Sequence, residues 1–208
     1  MYIEIAKPLE RARHILMIET LKDLAEQAKN DDLIYPDKRF PPSRYYRFLM
    51  LLAEYMKPTL SVELGVCGGG GSLHLAKGFP GGDVVGVDFQ FDHKANIEYI
   101  MSNFKNFHFM FNDSVKSAKN IVLEWGKVDI LFIDTDHTYD RTLAEYKAWK
   151  PYMKKGGVIC FDDLFRHGTG EVKSMRDAWD KIEGKKVRLD HLHDGTYPTG
   201  GGFGCLLV

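Results

Sequence analysis

Residues 60–72 run from a short apolar stretch directly into a glycine-rich turn, with an acidic residue just before the turn. The stretch reads LSVEL, its acidic residue is Glu63, and the turn reads GVCGGGGS. Glycines carry no Cβ atom, so this backbone can turn sharply and approach a ligand, while the following helix presents free N–H groups at its start. A carboxylate beside the turn suits a ligand with hydroxyl and ammonium groups and repels a pyrophosphate. The segment therefore predicts a nucleotide pocket.

Apolar strands alternate with helices after this point, which is the pattern of a doubly wound parallel sheet. The predicted strands are residues 60–64, 83–87, 107–111, 128–133 and 158–161, followed by an antiparallel edge pair at 186–189 and 203–208. The predicted helices are residues 72–77, 96–104, 115–125, 139–153 and 173–182, with Gly156 and Gly157 as a left-handed helix terminus before the fifth strand. We expect an α/β fold, a Rossmann-like sheet of about seven strands, mostly parallel with an antiparallel C-terminal strand.

The first 57 residues differ from this repeating pattern. Apolar residues at helical spacing predict an amphipathic helix over 9–28 and a second helix over 43–56, which Pro58 ends. Residues 30–42 contain three prolines and read as an irregular loop. We expect one domain over 1–208, in which residues 1–57 form accessory helices and a cover for the pocket.

Composition excludes several classes of function. The 208 residues carry a formal net charge of −1, and the basic residues are spread along the chain, so nucleic acid is not an expected partner. The three cysteines, Cys67, Cys160 and Cys205, are far apart, which argues against a disulfide framework and a structural zinc site and favours a reducing cytoplasm. No export signal or membrane span is evident, so we expect no membrane partner.

Acidic residues follow each of the five parallel strands. They are Glu63, Asp88, Asp113, Asp134, and the pair Asp162 and Asp163. Because ligands of open α/β sheets bind outside the carboxyl ends of the strands, these side chains are candidates for one shared crevice. A carboxylate at Asp88 can accept hydrogen bonds from both hydroxyls of a ribose, although an aspartate that caps the next helix has the same signature. The triplet at 112–114, Asn-Asp-Ser, is suited to holding an adenine but is explained nearly as well as a helix N-cap.

Together these motifs resemble the class I S-adenosylmethionine-dependent methyltransferases. The resemblance covers about residues 45–164 and the antiparallel tail, and the four consecutive glycines exceed what that family usually has. It implies that the turn surrounds the methionine part of the cofactor and that Glu63 helps to position it. The turn residues concerned are Gly65, Val66, Cys67, Gly68, Gly71 and Ser72. The resemblance also implies that Asp88 binds the ribose and that Asp113 and Ser114 approach the adenine.

The acidic residues after the fourth and fifth strands indicate a subtype. Neighbouring parallel strands lie about 4.8 Å apart, so Asp134, Asp162 and Asp163 converge on a space that one hard divalent cation fits, with oxygen ligands favouring Mg²⁺ over zinc. This arrangement resembles catechol O-methyltransferase and its metal-dependent relatives. The adjacent aspartate pair also resembles macrolide sugar methyltransferases and proteins named cephalosporin hydroxylases. The alternative is that Asp162 or Asp163 caps the next segment while Asp134 touches the amine of the cofactor.

His137 lies three positions after Asp134, where catechol O-methyltransferase has the lysine that removes the substrate proton. A neutral imidazole can do this near pH 7, so His137 and Asp134 are the candidate catalytic residues. The alternative is that residues 136–138 simply begin the next helix, with Asp136 either orienting His137 or solvating the turn.

Other polar and aromatic residues carry weaker signals. His191 and His193 have the spacing of one face of a strand, which a surface edge strand explains better than a metal site. A last group offers either substrate contacts or ordinary packing: Tyr35, Phe40, Arg44, Tyr45 and Tyr46.

The favoured function is methyl transfer from S-adenosylmethionine to a hydroxyl oxygen of a small molecule, with Mg²⁺ assistance. One alternative is an NAD-type oxidoreductase, which Glu63 and the lack of a clean Gly-x-Gly-x-x-Gly disfavour. Another is a non-catalytic nucleotide-binding subunit, but such a subunit would not need the convergent aspartates. The sequence leaves open the acceptor and a homo-oligomeric state.

Overall fold

The computed structural model describes residues 2–30, 40, 43–91, 93–164, 174–192 and 201–208. Its centre is one seven-stranded sheet with the order β3-β2-β1-β4-β5-β7-β6. The strands are β1 Leu60–Leu64, β2 Asp83–Asp88, β3 Phe107–Phe111, β4 Val128–Ile133, β5 Met153–Phe161, β6 Lys185–Arg188 and β7 Gly204–Leu207. The first five are parallel, and β7 lies antiparallel between β5 and β6. The predicted Rossmann-like sheet is confirmed.

Within the described residues, seven α-helices and two 3₁₀ turns cover the sheet. The helices are α1 Tyr2–Asn30, α2 Arg44–Met56, α3 Gly70–Gly78, α4 Lys94–Asn103, α5 Ala118–Trp125, α6 Tyr139–Trp149 and α7 Met175–Lys181; the 3₁₀ turns are Lys150–Tyr152 and Asp190–Leu192. One apolar cluster joins α1–α4 to one face of the sheet, and a second joins α5–α7 to the other face. The central strands are apolar throughout because both of their faces are buried.

The chain order reverses direction at β1. From β1 the sheet continues through β2 and β3 on one side and through β4 and β5 on the other. Such a reversal leaves a crevice at the carboxyl ends of β1 and β4, because their connections leave towards opposite faces. The backbone N–H of Asp134 donates to Leu64 O (2.9 Å) and that of Asp162 donates to Ile133 O (3.2 Å). The acidic strand ends therefore meet at one edge of the sheet.

Several helix boundaries differ from the prediction by a few residues. Helix α6 ends at Trp149 rather than at Met153, because Pro151 lies in a 3₁₀ turn after which β5 begins at once. Gly156 has the predicted left-handed backbone (φ 84°), but it lies inside β5 and is not a helix terminus. Residues 114–117 form turns, so α5 begins at Ala118.

The amino-terminal helices α1 and α2 pack on one face of the sheet, and α1 is longer than the predicted helix over 9–28. Leu21, Ala25 and Ala28 of α1 are fully buried against the α2 side of the core. Among the described residues, no helix is both long enough and apolar enough to cross a membrane. His191 lies in the second 3₁₀ turn and not on a strand, so the predicted edge-strand placement is wrong for this residue, and His193 lies outside the described residues.

Candidate active site

The glycine turn, residues 65–72, lies at the carboxyl end of β1 and needs its glycines for space. Gly65 has φ 85°, and a Cβ there would collide with the carbonyl oxygen of Asp134. A Cβ on Gly70 would collide with the ring of Tyr46, and one on Gly71 would collide with the carboxylate of Glu63. The turn is therefore pressed closely against α2, β1 and the end of β4.

Glu63 holds the turn from within the core. The residue is 1% exposed, and its Oε2 accepts hydrogen bonds from the backbone N–H (2.7 Å) and the hydroxyl of Ser72. Burial raises the pKa of Glu63 to about 8, against the hydrogen bonds from Ser72 and with a further contribution from the charge of Asp134. Its carboxyl group stabilises the start of α3 and does not line the central pocket described below.

Asp88 connects the glycine turn to the end of β2. Its Oδ2 accepts the backbone N–H of Cys67 and its Oδ1 accepts that of Gln90, both at 2.9 Å. Cys67 has a left-handed backbone conformation (φ 44°). Because each carboxylate oxygen has two lone pairs, Asp88 retains acceptor capacity towards a ligand.

A pocket of about 260 Å³, the central pocket, lies over these strand ends. Its lining residues come from the turns after β1, β2, β3 and β4: Gly65, Cys67, Val87, Asp88, Phe89, Gln90, Asn112, Ser114, Asp134, Thr135 and Asp136. A larger cavity of about 570 Å³ lies between α1, α2 and the opposite edge of the sheet. None of the acidic strand ends lines the larger cavity, so the central pocket is the candidate site.

An acidic cluster adjoins the central pocket. Asp134, His137 and Asp162 each offer a ligand atom within 4.8 Å of the other two. The imidazole of His137 lies between two carboxylates, with Nε2 at 3.0 Å from Asp134 Oδ1 and Nδ1 at 3.1 Å from Asp163 Oδ2. His137 and Asp163 both have left-handed backbones (φ 57° and 53°). This conformation costs residues other than glycine about 1–2 kcal/mol and is frequent at functional sites.

The acidic cluster has excess negative charge. Burial raises the pKa of Asp162 well above its ordinary value, and the charges of Asp134 and Asp163 add to the effect. Burial opposes a charged His137, but the hydrogen bond to Asp134 and the three carboxylate charges raise the pKa of the imidazole to about 9. In the described part of the chain, no lysine or arginine forms an ion pair with these carboxylates. Converging carboxylate oxygens with one imidazole as their partner fit a hard divalent cation.

Residues 62–164, which contain most of this site, match the family model described as a methyltransferase domain. The chain carries a methyltransferase domain. The sheet order and the antiparallel β7 give this domain the class I fold that the sequence predicted.

Individual relatives agree with this placement. The chain is 27% identical over 165 residues to a Dictyostelium discoideum protein named "Probable caffeoyl-CoA O-methyltransferase 3", covering 69% of this chain and 61% of that protein. The O-methyltransferase from Bacillus cereus, solved in complex with SAH, is 22% identical over 91% of each chain, with a TM-score of 0.65. The O-methyltransferase TomG from Streptomyces achromogenes, solved in complex with SAM, is 15% identical, with 92% of this chain and 88% of TomG covered and a TM-score of 0.66. Both structures share the fold.

The methyltransferase domain brings only some of the predicted cofactor residues to its pocket. Those that line it are Gly65, Cys67, Asp88, Ser114 and Asp134, whereas Glu63, Val66, Gly68, Gly71, Ser72 and Asp113 are not among its lining residues. Among the predicted metal ligands, Asp134 and Asp162 belong to the acidic cluster, and Asp163 stands behind His137, where its Oδ1 accepts the N–H of Gly201.

Asp113 is held by hydrogen bonds within the domain. Its Oδ1 accepts the backbone N–H groups of Val115 and Lys116 (both 3.0 Å), and its Oδ2 pairs with Arg141 Nη1 at 2.9 Å. Slight burial acts to raise the pKa of Asp113, but the hydrogen bonds from Lys116 and Arg141 outweigh it and lower the pKa. This geometry agrees with the capping alternative, and the contact with adenine stays a prediction.

Sequence reasoning missed Arg141 and Glu145 of α6, which hold the turns after β3 and β4 from behind. Their i, i+4 spacing predicts a pair on the helix, but nothing local indicates that the pair reaches Asp113, Ser114 and Thr135. The long-range contacts become visible only when the sheet order is known.

The tyrosines of α2 lie on the acidic side of the site. Burial raises the pKa of Tyr45, and the charges of Asp162 and Asp134 add to this effect. The ring of Tyr46 covers Gly70 and stacks on the buried His74, with centroids 5.5 Å apart. Phe40 is buried in the core (2% exposed), while Tyr35 lies outside the described residues. The position of Tyr46 therefore agrees with ordinary packing, which was the alternative to a substrate contact.

Proposed function

We propose that this methyltransferase domain transfers a methyl group from S-adenosylmethionine to a hydroxyl oxygen of a small molecule, with assistance from Mg²⁺. The observation that carries the proposal is the position of Asp134, which lines the central pocket and also belongs to the acidic cluster. One side chain therefore adjoins both a space for the methyl donor and a place for a cation. A methyl donor and a metal-bound acceptor on either side of Asp134 would be neighbours.

The central pocket suits the donor chemically. Asp88 has lone pairs for the ribose hydroxyls, and Asp134 places negative charge near the ammonium and sulfonium groups of the methionine part. Gly65 lines the central pocket together with Asp134, and we assign this part of the pocket to the methionine part of the donor. Asn112 and Ser114 border the remaining end of the pocket, which we assign to the adenine.

The acidic cluster suits the cation. Asp134 and Asp162 would hold it with carboxylate oxygens, and the third predicted ligand, Asp163, faces the imidazole of His137 at 3.1 Å. A divalent cation bound here would orient the acceptor hydroxyl and lower its pKa. The same positive charge would offset the carboxylates that raise the pKa of His137 to about 9.

His137 is the proposed general base, under a condition that the sequence did not indicate. At pH 7 an imidazole with a pKa of about 9 is protonated and cannot accept a proton. The prediction of a neutral imidazole therefore holds only when the surrounding carboxylates are neutralised. The proposed cation removes the obstacle, so metal binding and base catalysis are coupled in this site.

Alignment supplies most of the catalysis in this proposal. The sulfonium is already a reactive electrophile, so the protein has to hold the acceptor oxygen in line with the methyl group and remove its proton. Rigid strand ends carry the donor residues, and the acceptor approaches from the side of Asp162 and Tyr45.

Calorimetry with two ligands tests the donor assignment. We expect SAH (S-adenosylhomocysteine) to bind with a 1:1 stoichiometry and NAD to give no heat of binding. The reverse result would favour an oxidoreductase and contradict the proposal. A turnover assay with catechol-type and sugar hydroxyl acceptors, with Mg²⁺ or with EDTA, tests the metal: activity that is equal under both conditions would refute metal assistance.

A further inference from the structure

Arg141 uses two nitrogens of its guanidinium group to hold the turn after β3 and the third to bind Glu145. Its Nη1 pairs with Asp113 Oδ2 at 2.9 Å, its Nη2 donates to Ser114 Oγ at 2.6 Å, and its Nε donates to Glu145 Oε1 at 2.9 Å. A planar guanidinium engaged on three sides fixes its partners in direction as well as in distance. The turn at 113–114 is therefore fastened to α6.

Glu145 extends this connection to the turn after β4. Its side chain is fully buried; Oε1 accepts the hydroxyl of Ser114, and Oε2 accepts the hydroxyl of Thr135 at 3.0 Å. Trp149, one turn further along α6, donates its indole N–H to the carbonyl oxygen of Ser114 (2.7 Å). Two turns that are not adjacent in sequence are thus held by one helix.

Both turns line the central pocket, whereas the residues that hold them do not. Ser114 and Thr135 are lining residues, while Arg141 and Glu145 lie behind them. The hydroxyl of Ser114 is already engaged with Glu145 and Arg141, so it is oriented towards α6. The two α6 residues therefore determine where the turns lie, and the position of the turns sets the shape of this end of the pocket.

We infer that Arg141 and Glu145 are positioning residues that set the adenosine end of the donor pocket. This inference rests on the proposed function. Removing the guanidinium leaves the buried Glu145 and the partly exposed Asp113 without their cation, and it breaks both bonds from Arg141 to the turn at 113–114. The turn at 112–114 then shifts away from α6 and the adenosine end of the pocket loses its shape, while the acidic cluster keeps all of its ligands.

The test compares Arg141→Ala and Arg141→Lys with the wild-type protein. For Arg141→Ala we expect a dissociation constant for SAH about 20-fold higher, and a KM for the donor raised by a similar factor, because the turn at 113–114 loses its charge-assisted hydrogen bonds to α6. The kcat at saturating donor should stay within about twofold, since the reacting groups are untouched. Adenosine alone should lose affinity by the same factor as SAH. Lysine keeps the charge but not the fork, so Arg141→Lys should fall between the two.

Lys154→Ala is the matched control. Lys154 pairs with Asp129 Oδ2 at 2.7 Å and also contacts Thr59, at the edge of the sheet opposite the central pocket. Its loss should lower the melting temperature as Arg141→Ala does, yet leave the dissociation constant for SAH unchanged. This control separates positioning from a general loss of stability.

The outcomes distinguish this inference from the proposed function. If wild-type protein does not bind SAH, the proposed function fails. If wild-type protein binds SAH but folded Arg141→Ala binds it within twofold, or loses kcat instead of affinity, only the positioning role is refuted. Should Arg141→Ala not fold, Arg141→Lys decides the question: unchanged SAH affinity would overturn the inference, and a rise of about threefold or more would support it.

Discussion

The carboxylates after β1–β3 and those after β4–β5 occupy equivalent places in the sheet but have different partners. Glu63, Asp88 and Asp113 each accept two hydrogen bonds from their own or a neighbouring turn. Asp134 and Asp162 instead lie beside each other and a single imidazole. The first group therefore shapes the turns, whereas the second concentrates negative charge.

This difference shows that the position of a carboxylate at a strand end does not by itself determine its function. A carboxyl group whose lone pairs accept hydrogen bonds from the N–H and hydroxyl groups of a turn stabilises that turn. A carboxylate beside others remains electrostatically unfavourable until a cation or a proton arrives. The excess negative charge after β4 and β5 is the feature that a metal-assisted reaction would use.

Substitution of Asp134 tests the second group most severely. Because this side chain lies in both the pocket and the acidic cluster, we expect Asp134→Ala to lower turnover at least about 10³-fold and to weaken metal binding. Steady-state assays with added Mg²⁺ and a metal titration measure both effects. Asp129→Asn, on the same strand but at its other end, should keep kcat. Full activity in Asp134→Ala would remove the metal mechanism.

A methyl group on Gly71 tests the turn-shaping role of Glu63. The new Cβ would overlap the carboxylate of Glu63 inside a rigid turn, so we expect Gly71→Ala to reduce the free energy of unfolding by about 3 kcal/mol. Urea denaturation measures the loss. Gly68→Ala is the control in the same turn, since the nearest atom to its Cβ is the amide of Asn96 at 3.9 Å, and it should change stability by less than about 0.5 kcal/mol. Equal stability of the two variants would contradict the packing described for the turn.

His137 tests whether the acidic cluster takes part in chemistry beyond binding. We expect His137→Ala to lower kcat about 10²-fold, as loss of a general base does, while the dissociation constant for SAH changes less than about twofold. Without a cation, the surrounding carboxylates raise the pKa of His137 to about 9. In the presence of Mg²⁺, the wild-type pH–rate profile should therefore show a group that titrates below this value. A kcat unchanged by the substitution would assign the proton to another acceptor.

The pH dependence of stability tests the buried carboxyl of the first group. Folded Glu63, with a pKa near 8, keeps a proton that the unfolded chain loses near pH 4.5. Its contribution to stability is therefore complete below pH 4.5 and is lost as the pH rises towards 8, at about 1.4 kcal/mol per unit.

Glu63→Gln isolates this contribution. Glutamine mimics the neutral carboxyl, so the variant should fold, bind SAH at pH 7, and lack this component of the slope. Denaturation of both proteins between pH 5 and 7 in EDTA measures the difference. Parallel curves would show that Glu63 is ionised in the folded protein.

Most of the fold was predictable, because the alternation of apolar strands with helices, separated by turn residues, repeats five times along the chain. The antiparallel tail was predictable from its position after the last helix. The start of β5 was not, since a proline inside an apolar stretch does not reveal whether a 3₁₀ turn or a strand follows. At the site, Asp134 was predicted from its place at the end of β4, and His137 from its spacing to Asp134 and the resemblance to catechol O-methyltransferase.

The rest of the site depends on contacts between distant segments. The orientation of Asp113 is decided by Arg141, 28 residues later, and the pKa of His137 by carboxylates from two strands. No local pattern encodes either relation. Chemistry that depends on one strand end was therefore predictable, whereas chemistry that depends on what faces that strand end required the three-dimensional structure.

A crystal structure of the protein grown with SAH and Mn²⁺, recorded at a wavelength where manganese scatters anomalously, tests the central claim most directly. The account predicts SAH between Gly65, Asp88 and Asn112, and an anomalous peak bound by Asp134 and Asp162 beside its sulfur. SAH in that pocket with no peak at the acidic cluster, or a peak bound only elsewhere, would contradict the claim that donor and cation meet at Asp134.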